Sequence, residues 1–286
     1  MTQPISSPAE EMTSPDLLAL WLRHYASKHT QGAYARDVSR LFKFTGRSVD
    51  LLTTLDLARF SGHLVDTGLA PISRARTLTA VRSLLRFAHR TGVVAQDLAD
   101  TIRLPRCDTK LAERILAEDQ VRRMIDGEVD DRNRTILSLL YTAGLRVSEL
   151  CGLRRRHLQS RGLTGQIIVT GKGTRTRAVL LPESIWRQLR QLTAASEAES
   201  PVFRSRSGIA LDRSRVLQIV REAAQRAGIT EPVSPHWLRH AHASHALDHG
   251  APLHLVQATL GHASVATTSR YLHARPDQSS AAYIRA

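Results

Sequence analysis

Residues 234–247 read SPHWLRHAHASHAL, and residues 260–273 read LGHASVATTSRYLH. Pro235 suits the first turn of a helix, where a missing N–H costs nothing. On that helix His236 and Arg239 stand three residues apart and therefore share a face. In the second stretch Gly261 ends one helix, His262 follows it, and Tyr271 lies nine residues on, on the next helix. One imidazole and one guanidinium are thus delivered to the same place, with a second imidazole and a phenol close behind in sequence.

Two upstream segments extend the set. In TAGLRVSEL, residues 142–150, Arg146 follows Gly144 at the end of a strongly apolar helix, so a turn presents it at the mouth of the fold. In GKG, residues 171–173, Lys172 sits at the tip of a predicted hairpin between the β-rich runs QIIVT and TRTRAVLL. That lysine is unusual for this chain, in which 36 of the 40 basic residues are Arg and only Lys28, Lys43, Lys110 and Lys172 are Lys. Arg clamps a phosphate but keeps its proton, whereas Lys can release one to a leaving group. Arg146 and Arg239 suit bidentate contact with the nonbridging oxygens of a phosphodiester. Tyr271 is a weak nucleophile at a free pKa of about 10 and needs a base or a cationic pocket. The six residues Arg146, Lys172, His236, Arg239, His262 and Tyr271 supply what attack on a phosphodiester requires without a metal.

The remainder of the chain is consistent with that chemistry. Its 286 residues are enough for two domains that each bury a core. The net charge is +14. Residues 1–105 carry 13 Lys+Arg against 9 Asp+Glu and the remainder 27 against 17, so both halves are basic. Nucleic acid is the natural partner for such a balance. No run approaches the roughly 20 apolar residues of a membrane span, and the polar start MTQPISSPAEEM lacks the pattern of a signal peptide. Cys107 and Cys151 make no disulfide framework, and the expected compartment is the cytoplasm.

The spacing predicts a leader at 1–13, an all-helical N-terminal domain at 14–104, a linker at 105–113 and a second domain at 114–286. Four helices are expected before the linker, the last of them (residues 70–92) carrying Arg74, Arg76, Arg82, Arg86 and Arg90 among apolar positions. Beyond the linker the chain is mostly helical, with a small antiparallel sheet.

The order and wording of these segments closely resemble the catalytic domain of the tyrosine recombinases, the phage-integrase and Xer superfamily. The helical N-terminal half resembles the core-binding domain of Xer-type enzymes. The resemblance implies a two-domain clamp on duplex DNA and a homo-tetramer on two sites, with a second recombinase or an activator as a further partner. It also implies that Tyr271 forms a 3′-phosphotyrosyl link, Lys172 protonates the departing 5′-oxygen, and Arg146 and Arg239 stabilise the phosphorane with help from His262. His236 would assist proton transfer at the nucleophile. Arg74, Arg76, Arg82, Arg86, Arg175 and Arg177 are the expected DNA-binding residues, and no cofactor or metal is implied. His242 stands where the family often has an aromatic residue, which bears on packing more than on chemistry. The tail, residues 276–286, is expected to dock on a neighbouring protomer.

Two rivals share parts of this pattern. A type IB topoisomerase uses related chemistry with little sequence preference, and a non-catalytic basic DNA-binding protein would form no covalent adduct. The Xer-like N-terminal half argues against the first, and the full catalytic set against the second. GKGT is not a phosphate loop, since Gly165 to Gly171 leaves five intervening residues and Gly173 replaces the Ser/Thr. His236, His240, His242, His245 and His249 have no HExxH and no cysteine pairing to complete a metal site. His240 and His245 are expected to pack the helix or face DNA.

Overall fold

The computed structural model describes residues 14–106, 112–171, 176–262 and 264–272. The chain divides into two compact units, 1–109 and 110–286. Among the described residues no helix is long and apolar enough to cross a membrane.

The first unit is helical: α1 (Ser14–Arg23), α2 (Lys28–Thr45), α3 (Thr54–Asp66) and α4 (Pro71–Arg90). Local chemistry sets their ends. Ser27 accepts the Thr30 N–H at the start of α2. Thr53 and Asp56 form a reciprocal capping box ahead of α3. Gly46 ends α2 in the left-handed region at φ 64°, which costs glycine no Cβ clash. The core packs Trp21, Leu41, Phe60, Leu84 and Leu85 from all four helices. One charge lies inside it: Asp37, fully buried, receives Arg76 Nε at 2.7 Å and Nη2 at 3.0 Å and the Thr77 hydroxyl at 3.0 Å. A buried carboxylate is tolerated only when it is hydrogen-bonded in this way.

The second unit holds α5 (Glu118–Asp126), α6 (Asp131–Thr142), α7 (Val147–Cys151), β1 (Leu158–Arg161), β2 (Thr164–Thr170), β3 (Thr176–Leu181), α8 (Glu183–Leu192), α9 (Arg213–Arg226), α10 (Pro235–Asp248), α11 (Leu253–Leu260) and α12 (Val265–Leu272). Helix α6 is its centre, with Ile136, Leu137, Leu139 and Leu140 inaccessible to solvent. Small residues of α10, such as Ala241, let α10 join the same core.

The sheet has order β1-β2-β3, antiparallel throughout. Ile167 pairs with Val179 and Gly165 with Leu181, which keeps Ile167, Val169, Val179 and Leu181 on the buried face. Gly165 admits Trp186 of α8, for a Cβ there would stand 2.2 Å from the indole. Strand β1 is an addition to the two strands legible in sequence. Its residues LQSR bury only Leu158, so it has no alternating pattern, and pairing with β2 across a turn at Gly162 makes it a strand.

Candidate active site

The site is built where four stretches of the second unit meet: the α6–α7 turn, β3, α10 and the α11–α12 turn. The first depends on Gly144. Its φ is +56°, and a Cβ would lie 2.6 Å from Leu260 and 2.9 Å from the His242 ring. Glycine alone fits this turn, which releases Arg146 at the start of α7. His242 therefore acts through packing. Burial, and then Arg239 nearby, lower its pKa to about 4 despite a hydrogen bond with the Tyr141 backbone.

Three residues after Arg146 comes Glu149, whose side chain is 3% exposed. It accepts the Arg146 backbone N–H at 2.8 Å and the Arg146 guanidinium at 2.9 Å. It also accepts a two-point contact from Arg177 of β3, at 2.7 and 2.9 Å. Burial alone would raise the Glu149 pKa, but the Arg177 and Arg146 hydrogen bonds outweigh it and hold the carboxyl at about 2. Glu149 was not among the residues singled out from sequence. Its signal was there, an acid at the third position of a helix opened by an arginine.

The end of α11 gathers the cations. The carbonyls of Thr259, Leu260 and Gly261, three in succession, accept from Arg177 (2.7 Å), Arg239 (2.7 Å) and Arg146 (3.2 Å) respectively. These are carbonyls of a helix C-terminus, where the dipole favours positive charge. Arg239, 4% exposed, also donates to the Gly144 carbonyl. Burial, then Arg146, lower its pKa to about 10, so it remains a cation at neutral pH. The two arginines read as a phosphate clamp, Arg146 and Arg239, are thus fixed by one turn of backbone. Arg177, read from sequence as a DNA contact, is engaged instead by Glu149 and Thr259, and its place is behind the clamp.

Gly261 turns left-handed at φ 64° and delivers His262. The His262 Nδ1 lies 2.8 Å from the Thr268 hydroxyl, and its ring is within 7° of parallel to Tyr271 at 6.5 Å. Burial first, then Arg239, Arg146, Arg177 and His240, lower its pKa to about 4. His236 stands on the first turn of α10 with an exposed surface. Packing about its ring and then Arg239 and Arg146 hold its pKa below the ordinary value.

Tyr271 is 6% exposed and packs with Ile115, Ala243, Val256 and Leu260. Its hydroxyl lies 2.7 Å from Nδ1 of His240. The expectation that His240 merely packs or faces DNA is therefore incomplete. The five histidines of α10 and its end diverge: His245 meets the Tyr141 hydroxyl at 2.9 Å and His249 meets Glu118 at 2.9 Å. Among the described residues no group of three or more His, Cys, Asp or Glu could hold a metal ion.

Lys172 and Arg175 lie outside the described residues, as do the leader and the 276–286 tail. In the first unit, Arg74, Arg76, Arg82 and Arg86 all lie on α4. Arg76 holds Asp37, and Arg82 and Arg86 reach Asp100 at 3.3 and 2.8 Å. Nε of Arg74 is buried without a hydrogen-bond partner among the described residues.

Comparison with known proteins covers almost the whole chain. The phage integrase family model matches residues 114–278, and the model of the phage integrase N-terminal SAM-like domain matches residues 17–92. Tyrosine recombinase XerC of Xanthomonas campestris is 34% identical over 268 residues, 91% of this chain and 83% of the relative. Tyrosine recombinase XerD of Vibrio cholerae is 31% identical over 283 residues, 93% of each chain. The fold matches that of the XerH site-specific recombinase bound to difH substrate, at a TM-score of 0.69 and 21% identity over 91% of this chain and 81% of that one. With two family models in the expected order and relatives matched over most of their length, the chain belongs to the phage integrase family and is a Xer-like tyrosine recombinase.

Proposed function

We propose that this recombinase cuts duplex DNA with Tyr271, holds the broken strand as a 3′-phosphotyrosyl ester, and rejoins it to a partner strand. The observation that carries this reading is the convergence of Arg146 and Arg239 on the end of α11, directly before His262. A scissile phosphate held there gains two guanidinium contacts, whose charge is worth most as a fifth oxygen joins the phosphorus. The Tyr271 oxygen forms the new P–O bond as the bond to the 5′-oxygen breaks, and that oxygen leaves with a proton from Lys172. A 5′-hydroxyl from the second duplex then attacks the phosphotyrosine and releases Tyr271. The ester conserves the bond energy, so the cycle needs no nucleotide.

In this reading residues 14–104 form the core-binding domain, 105–113 the linker and 114–286 the catalytic domain, and both domains contact the same duplex. Arg74, Arg82 and Arg86 on α4 contribute phosphate contacts, and Arg175 does so beside Lys172. The active assembly is a tetramer on two sites. Strand exchange calls for a second recombinase or an activator if the homotetramer alone proves inert. The basic charge of both halves and the DNA-bound solved relatives support this assignment.

Covalent trapping tests it. Wild type and Tyr271→Phe are incubated with a genomic fragment library in which nicks prevent religation. The expected result is a 3′-linked adduct at one recurring, partly palindromic site with wild type and none with the variant. Scattered adducts would indicate a topoisomerase, and salt-sensitive binding without adducts a non-catalytic binder.

A further inference from the structure

A tyrosine hydroxyl does not attack phosphorus until something takes its proton, and at neutral pH a phenol with a pKa of about 10 supplies almost no phenolate on its own. The group best placed to do so is the one already bonded to the oxygen. His240 Nδ1 lies 2.7 Å from the Tyr271 hydroxyl, inside the range for direct proton transfer. The two other imidazoles of the site are placed differently. His236 is one turn earlier on α10, its ring centre 6.4 Å from that of His240, and it faces solvent. His262 lies nearly parallel to the Tyr271 ring and has its Nδ1 directed to Thr268.

We infer that His240 is the base that receives the Tyr271 proton during strand cleavage. This rests on the reading of Tyr271 as nucleophile and moves the proton-accepting role from His236 to its neighbour on the same helix. With its own proton on Nε2, His240 offers Nδ1 as acceptor. The Tyr271 O–H bond breaks, the proton passes to Nδ1, and the oxygen's electron pair forms the bond to phosphorus. The bond from phosphorus to the 5′-oxygen breaks, and that oxygen departs with the proton of Lys172. When the incoming 5′-hydroxyl attacks the ester, its proton goes back to Lys172, and the proton on His240 returns to the tyrosine oxygen.

His236 and Arg239 flank His240 on its own helix, Tyr271 faces it from α12, and His262 from the turn after α11 is close enough to interact with it electrically. From the other elements packed on α10, Tyr141 of α6 is directed to His245, Glu118 of α5 to His249, and Arg226 of α9 to Glu128. Arg239 is the fixed cation among the groups that flank and face His240, and its charge interacts with Tyr271, so it steadies the tyrosine oxygen as it loses its proton.

The test uses the full chain and the duplex recovered by trapping, nicked so that cleavage is a single turnover. His240→Gln keeps a polar side chain but cannot accept a proton at neutral pH. The expected result is cleavage slowed about 100-fold at pH 7 with DNA affinity retained. The rate of that variant should also rise about tenfold per pH unit where the wild-type rate is flat. His236→Gln should keep the wild-type shape of the pH profile. A His240→Gln rate within threefold of wild type, or a tenfold rise per pH unit that appears in His236→Gln alone, would overturn the assignment. A second readout needs no DNA. In 15N spectra of the histidines, Tyr271→Phe should shift the His240 Nδ1 resonance, and an unchanged resonance would refute the contact on which the inference stands. Absence of any adduct from wild type would count against Tyr271 as nucleophile, and the 15N comparison would still decide the His240 contact.

Discussion

Glu149 and Arg177 show how much of the site lies behind the two arginines read as a phosphate clamp. Arg177 donates to both Glu149 oxygens and to Thr259, so its removal leaves a buried carboxylate with Arg146 as its remaining cation. Arg177→Ala should cost about 3 kcal/mol of stability, within the range for breaking a buried ion pair. Thermal or urea unfolding measures this, and Arg177→Lys should recover only part of it because a single ammonium cannot match two oxygens. The histidines set the acid response. His262 and His242 have folded values near 4 against about 6.5 in the unfolded chain, so both fold as neutral rings. Their contribution is complete above about pH 6.5 and is lost as the pH falls from there toward 4. Glu149, depressed from 4.5 to about 2, gives up its contribution only below that window. The urea midpoint should therefore fall between pH 6.5 and 4.5, before carboxylates matter, and a flat midpoint there would contradict the assignment. Binding of a phosphate opposes the arginines that depress His262, so DNA binding near pH 5 should take up protons, measurable by calorimetry in buffers of different ionisation enthalpy.

At the scale of elements, what sequence reveals depends on whether the signal is local. Gly46, Gly144 and Gly261 announce their turns, and HxxR on α10 places His236 and Arg239 on one face, because backbone sterics and helical spacing act within a few residues. Strand β1 is different, since LQSR becomes a strand only through its partner β2. The pairing of His240 with Tyr271 across α10 and α12, and of Arg177 with Glu149 across β3 and α7, is likewise set by packing. Sequence could name the chemical groups of the site but could not assign neighbours to groups 28 or 31 positions apart. Gly144→Ala tests the local side of this. A Cβ in a left-handed conformation costs roughly 1–2 kcal/mol, and here it also meets Leu260 at 2.6 Å. The expected outcome is a lower melting temperature and a loss of cleavage larger than the stability change explains, because the Gly144 carbonyl also holds Arg239.

For the whole molecule, two units carry separate cores, and the proposed function divides the work of binding between them. Affinity for duplex DNA should fall steeply with salt as phosphates displace counterions. Arg82→Ala and Arg86→Ala should each lower the slope of log affinity against log salt by about 1, measured by fluorescence titration on a duplex of fixed length. Arg76→Ala should instead lower the melting temperature of the N-terminal unit with little change in slope, because that side chain holds buried Asp37. Of the four α4 arginines expected from sequence to bind DNA, Arg76 holds a buried carboxylate, while Arg82 and Arg86 pair with the exposed Asp100.

The three carbonyls of residues 259, 260 and 261 also tie distant parts of the chain to one short segment. Because Arg177, Arg239 and Arg146 come from different parts of the chain yet anchor to consecutive peptide units, they respond to the position of that one segment together. A shift of the α11 end by the length of a hydrogen bond breaks one contact of each arginine at once, leaving Arg146 and Arg177 on Glu149 and Arg239 on the Gly144 carbonyl, and it carries His262 away in the same movement. One short segment is thus a common reference point for three cations and an imidazole.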